Sequence, residues 1–191
     1  MKLERRLYRV LYLFFTICSL SNCNTGNKQS SDTAISNKKS EKFTQPDSLI
    51  TYKPFALTSL DSNKIFNSTL KIYSFIDASC SSCLASINNW KLVASEIKNY
   101  KVPIILIVQS EDNFELLKYL CEKKNIDNFP YPFYFDFKGQ FFVRNKFLSR
   151  NKNGHTVLTD KNNNIIASGD MTLSKKVKEQ YMNIIKANKA H

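Results

Sequence analysis

Two thiols three residues apart, in Cys80-Ser81-Ser82-Cys83, are the side chains here best suited to chemistry. A thiolate attacks disulfides and binds soft metals, while a thiol does neither well. The segment before the pair, Thr69 to Ile76, is an apolar run that reads as a strand covered on both sides. From Cys80 onward the apolar spacing becomes helical, with Cys83, Ile87, Trp90, Ala94 and Ile97 along one stripe. Ser79 is the expected helix cap. A strand therefore delivers Cys80 to the tip of a helix, where unpaired N–H groups and the helix dipole favour a sulfur anion. Cys83 falls one turn on and is expected to face inward. The roles that follow are attack by Cys80 on a disulfide and resolution of the mixed disulfide by Cys83.

The surrounding elements must hold this pair. A leading strand is expected within Tyr52 to Leu60, followed by a turn at Asp61 to Lys64. Val102 to Val108 is a buried strand, Glu111 to Lys124 a helix striped by Phe114, Leu117 and Cys121, and Tyr131 to Phe137 a short strand. Phe141 to Leu148 reads as a short helix. Thr156 to Thr159 and Ile165 to Ser168 form a hairpin across Asp160 to Asn164. Leu173 to Ala187 closes the chain as a helix with Leu173, Val177, Tyr181 and Ile184 inward. Alternating elements with a final hairpin imply an α/β fold with a mixed central sheet and helices on both faces. Cys121, in an apolar helical stripe, is expected to be a buried core thiol.

The chain has 191 residues and a formal charge of +12, enough for one domain with extra segments. The basic residues are dispersed rather than blocked and read as solvated surface. No nucleic-acid recognition motif is present. Residues 1–9 are basic, and Val10 to Cys18 is an apolar run too short for a comfortable membrane span. This is the layout of a secretory signal peptide. Leu20-Ser21-Asn22-Cys23 resembles a bacterial lipobox, with Asn22 replacing the usual small residue. That resemblance implies cleavage before Cys23 and lipidation of its thiol, hence a membrane-anchored lipoprotein facing the periplasm of a bacterial cell envelope. The expected organisation is a signal peptide over 1–22, a flexible polar tether over 23–45 and a folded domain over 46–191. Outside the cytoplasm disulfides form and persist, so a working dithiol has substrates there.

With strand, Cys-x-x-Cys, helix and distant hairpin in this order, residues from Lys53 onward resemble the thioredoxin-like superfamily. The chain looks most like the membrane-tethered, TlpA-like thiol–disulfide oxidoreductases. The resemblance implies a three-layer thioredoxin-like sandwich, no cofactor, catalytic Cys80 and Cys83, a membrane electron donor, envelope proteins with disulfides or thiols as partners, and a monomer. The sequence departs from that family in three places. Ser79 stands where the family has Trp before the first cysteine, and Ser82 where it has Pro before the second. Ser74 stands where the family has a buried acid, with Asp77 nearby. Gly154-His155-Thr156 replaces the cis-proline loop before the hairpin. His155 opens an alternative: with Cys80 and Cys83 it makes a soft set suited to Cu(I), partly resembling Sco-type copper assembly proteins. A third reading is a redox-inactive interaction protein of the same fold.

Overall fold

The computed structural model describes residues 41–55, 61–150 and 155–189. The expected signal peptide, Cys18, the expected lipidation site Cys23 and most of the expected tether lie outside them. Six strands form one sheet in the order β1-β4-β3-β2-β5-β6. They are β1 Ile50–Tyr52, β2 Leu70–Asp77, β3 Ile104–Gln109, β4 Phe133–Phe135, β5 Thr156–Asp160 and β6 Ile165–Ser168. β2, β3 and β4 run parallel; β1 pairs antiparallel with β4, β5 with β2, and β6 with β5. The sheet is therefore mixed, as the final hairpin required. Consecutive residues of β2 and β3 are buried, so both faces of the central strands are covered.

The helices are α1 Ser62–Phe66, α2 Ser81–Ile97, α3 Glu115–Glu122, α4 Gln140–Arg144, α5 Lys146–Ser149 and α6 Lys175–Lys189. α2 buries Leu84, Ile87, Trp90, Val93, Ala94 and Ile97. The inward stripe is as expected except at its first member: Leu84 is buried, whereas Cys83 is only half-buried. A helix's first turn projects past the sheet it packs on, so its side chains reach solvent. α1 was expected as a turn. Its cap is Asp61, whose side chain accepts from Asn63 N at 3.0 Å.

Two helix boundaries differ. The third helix starts at Glu115 rather than Glu111, because Asn113 and Phe114 have φ of 54° and 66°. That left-handed backbone lays the Phe114 ring flat on Phe135 of β4, centroids 3.9 Å apart. Leu173, expected inward, is 74% exposed because α6 begins two residues later. The inward face of α6 is carried by Tyr181 and Ile185, and the Tyr181 hydroxyl donates to the Ala167 carbonyl at 3.4 Å.

The folded part also begins before residue 46. Phe43 is buried and stacked on Tyr73, centroids 4.2 Å apart. Lys42 bridges to Asn164 in an antiparallel sense. The buried Asn145 amide holds Thr44 at both ends, accepting from its N–H and donating to its carbonyl, each at 2.8 Å. The end of the expected tether, residues 41–45, is thus part of the domain. Its polar composition hid this, because one aromatic ring and one amide clamp do the anchoring.

Candidate active site

β2 ends at Asp77, and a tight turn carries the chain to Cys80. Four hydrogen bonds define that turn: Ser79 N to the Asp77 carboxylate (2.9 Å), Cys80 N to the Asp77 carbonyl (3.3 Å), Ala78 N to the Gln109 carbonyl (2.8 Å) and Glu111 N to Ser79 Oγ (2.9 Å). The last two tie the turn to the end of β3. Ser79 therefore bridges loops and does not cap α2. The cap is Cys80 itself, with extended φ and ψ of −106° and 113° and a sulfur that accepts from Cys83 N at 3.4 Å.

The two thiols have opposite surroundings. Both are free, and Cys80 sits where the helix dipole favours negative charge. The Cys83 thiol, the Ser82 hydroxyl and the Cys83 N–H donate toward its sulfur, in that order of weight, and hold the Cys80 thiol below the ordinary cysteine range. The Ser82 oxygen lies 3.1 Å from that sulfur. Cys83 is pushed up to about 11, first by burial and then by its hydrogen bond with Cys80, with the Cys80 and Asp77 charges adding to it. Buried Cys121 is pushed up to about 12, mainly by desolvation, consistent with a core thiol.

A cleft of about 510 Å³ opens beside this pair, lined by Phe75, Asp77, Ser79, Cys83, Gln109, Ser110, Glu111, Phe142 and His155. It lies at the C-terminal ends of the parallel strands β2 and β3, where α/β sheets place their ligands. That rule was the available signal for Gln109, Ser110 and Glu111, which sequence motifs alone did not mark. His155 enters the cleft from the start of β5. Its carbonyl accepts from Phe75 N at 3.2 Å, and its ring meets Phe142 edge-on with centroids 4.7 Å apart. Burial pushes the imidazole below its usual value. Ser74 Oγ lies 2.8 Å from Thr156 Oγ1 in a buried hydroxyl pair.

The structure brings Cys83 and His155 to one cleft, with Cys80 hydrogen-bonded alongside. Among the described residues, however, no three His, Cys, Asp or Glu side chains converge as a metal-binding group.

At about pH 8, iodoacetamide is expected to label Cys80 well before Cys83 or Cys121. A thiol titrating near 11 keeps only about one molecule in a thousand as thiolate at that pH. Raising the pH toward 10 increases the thiolate share of Cys83 far more than that of Cys80, so the selectivity falls. Peptide mass mapping after timed labelling reads this directly, and equal labelling of both residues at pH 8 would contradict the asymmetry.

No protein-family model matches the chain, and no curated protein matches it. Solved structures do. One described as a thiol:disulfide interchange protein, DsbE, from Chlorobium tepidum aligns with a TM-score of 0.50 at 16% identity, over 75% of this chain and 96% of that one. The thioredoxin domain of a thiol-disulfide oxidoreductase from Bacteroides vulgatus aligns at 0.45 and 18% identity, covering 69% and 91% of the two chains. The exposed lipoprotein thioredoxin Etrx1 from Streptococcus pneumoniae aligns at 0.42 and 20%, covering 60% and 87%. With the sheet order and the strand-turn-helix that carries the cysteines, the likeness to the first establishes a thioredoxin-like α/β fold.

Proposed function

We propose that this chain is a thiol–disulfide oxidoreductase of the bacterial cell envelope, with Cys80 as nucleophile and Cys83 as resolving thiol. The observation that carries the reading is two free thiols at the start of one helix, where Cys80 is the cap and its sulfur accepts from Cys83 N at 3.4 Å, with Cys83 lining a cleft. The Cys80 thiolate attacks one sulfur of a substrate disulfide, forming a Cys80–substrate bond and releasing the other substrate sulfur as thiolate. Two causes of Cys83's high value, the hydrogen bond with the Cys80 sulfur and that sulfur's charge, then disappear. Cys83 therefore loses its proton more easily when resolution is due. Its thiolate attacks Cys80, closes the Cys80–Cys83 disulfide and expels the second substrate thiolate. Two protein thiols are oxidised and one substrate disulfide becomes two thiols. A dithiol donor restores the reduced protein; run in reverse, the same steps oxidise substrate dithiols.

Support for the class comes from the Chlorobium tepidum structure, itself described as a thiol:disulfide interchange protein. The envelope setting rests on the signal-peptide pattern and on lipidation at Cys23, which would leave the domain tethered to a membrane among envelope proteins as a monomer. No helix among the described residues is long and apolar enough to cross a membrane; the proposed anchor is acyl chains instead.

The full chain, added in catalytic amount to insulin and dithiothreitol, is expected to accelerate insulin precipitation over dithiothreitol alone. No acceleration, together with no oxidation of Cys80 and Cys83 by insulin disulfides, would remove the enzymatic reading.

A further inference from the structure

We propose that the cleft beside Cys83 selects disulfides flanked by positive charge, so that cationic disulfides react faster than anionic ones. This deepens the oxidoreductase reading and rests on it.

Among the described lining residues, Asp77 and Glu111 are the acidic side chains. His155 is the one side chain of basic type among those described residues, and burial pushes its imidazole below the usual value. Neither carboxylate forms an ion pair among the described residues. The Asp77 carboxylate accepts from Ser79 N. Ser79 Oγ in turn holds Glu111 by its backbone N–H, which keeps residue 111 at the cleft. Phe75 and Phe142 line the same space and offer apolar surface to the methylenes of a lysine or arginine.

The chain as a whole carries +12, so its distant field favours anions. The two fields differ in range. At about 0.1 M salt the Debye length is about 10 Å, which screens remote lysines but not a charge in contact with Asp77 or Glu111. Local selection therefore opposes the global charge and wins inside the cleft. Exposed carboxylates acting through a largely aqueous medium give an expected preference of about three- to tenfold.

The test uses the reduced full chain with cystamine, a dication, and 3,3′-dithiodipropionate, a dianion. In each reaction Cys80 displaces one half of the reagent as thiolate. Cys83 displaces the other and closes the disulfide, so two protein thiols are oxidised and two reagent thiols are released. Rates are divided by those of the same reagents with 2-mercaptoethanol, an uncharged thiol. The normalised ratio is expected to favour cystamine about three- to tenfold at about 0.1 M salt. It should fall in Glu111→Gln, which leaves Asp77, approach one in Glu111→Lys, where the two charges cancel, and fade at about 1 M salt, where screening reaches about 3 Å. A wild-type ratio near one, or a ratio that Glu111→Gln and Asp77→Asn both leave unchanged, overturns the selectivity alone. Failure of both reagents to oxidise thiols that iodoacetamide still labels overturns the oxidoreductase reading and this inference with it.

Discussion

A Cys83→Ala variant is expected to stop after one half-reaction, as a stable mixed disulfide between Cys80 and substrate. Removing the second thiol leaves the first attack intact, because Cys80 keeps the helix start, the Ser82 hydroxyl and the residue 83 backbone N–H. It loses the Cys83 thiol, the largest of the influences lowering its value, so the attack should slow without disappearing. Resolution has no nucleophile, and insulin turnover should vanish. Cys80→Ser should abolish both stages, since an alkoxide is not populated near neutral pH and serine forms no exchangeable sulfur bond. Non-reducing gels of envelope extracts read the difference: higher-mass adducts in Cys83→Ala that collapse on reduction, none in Cys80→Ser. Adducts that persist in Cys80→Ser while those of Cys83→Ala are absent would reverse the assigned roles.

The largest effect on stability is expected at Trp90. It is fully buried in α2, the helix that begins at the thiols, and its indole N–H has no protein acceptor among the described residues. Trp90→Ala opens a large cavity and should cost about 3–5 kcal/mol, a substantial share of the roughly 5–15 kcal/mol that a domain possesses. Trp90→Phe should cost far less. It keeps most of the ring and removes a buried donor whose unpaired state costs about 1–3 kcal/mol. Urea unfolding followed by far-UV circular dichroism compares the two. A Phe variant as unstable as the Ala variant would mean that the indole N–H is well accommodated. A loss below about 1 kcal/mol in Trp90→Ala would mean that α2 is held by its other buried residues.

Hydrophobic periodicity alone determined much of this protein. A run of β-branched and aromatic residues followed by apolar side chains at helical spacing leaves little choice but a buried strand leading to an amphipathic helix. That local logic placed the cysteines at the helix start, made Cys121 a core residue, and located the hairpin at Thr156 to Ser168. These features depend on neighbours in sequence, so the pattern carries them.

Tertiary structure decided the rest. Whether residue 79 or 80 caps α2 depends on the loop after β3, whose Glu111 N–H captures the Ser79 hydroxyl. The start of α3 depends on Phe135, which draws the Phe114 ring onto β4 through a left-handed backbone. Phe43 joins the core only because β2 presents Tyr73 and α5 is preceded by Asn145. The cleft itself is assembled from the ends of β2 and β3, the start of β5 and Phe142 of α4. Burial raises Cys83 and lowers His155 only once those segments meet. Local sequence sets which face of an element is apolar; which polar atom meets which partner is a property of distant segments brought together by folding.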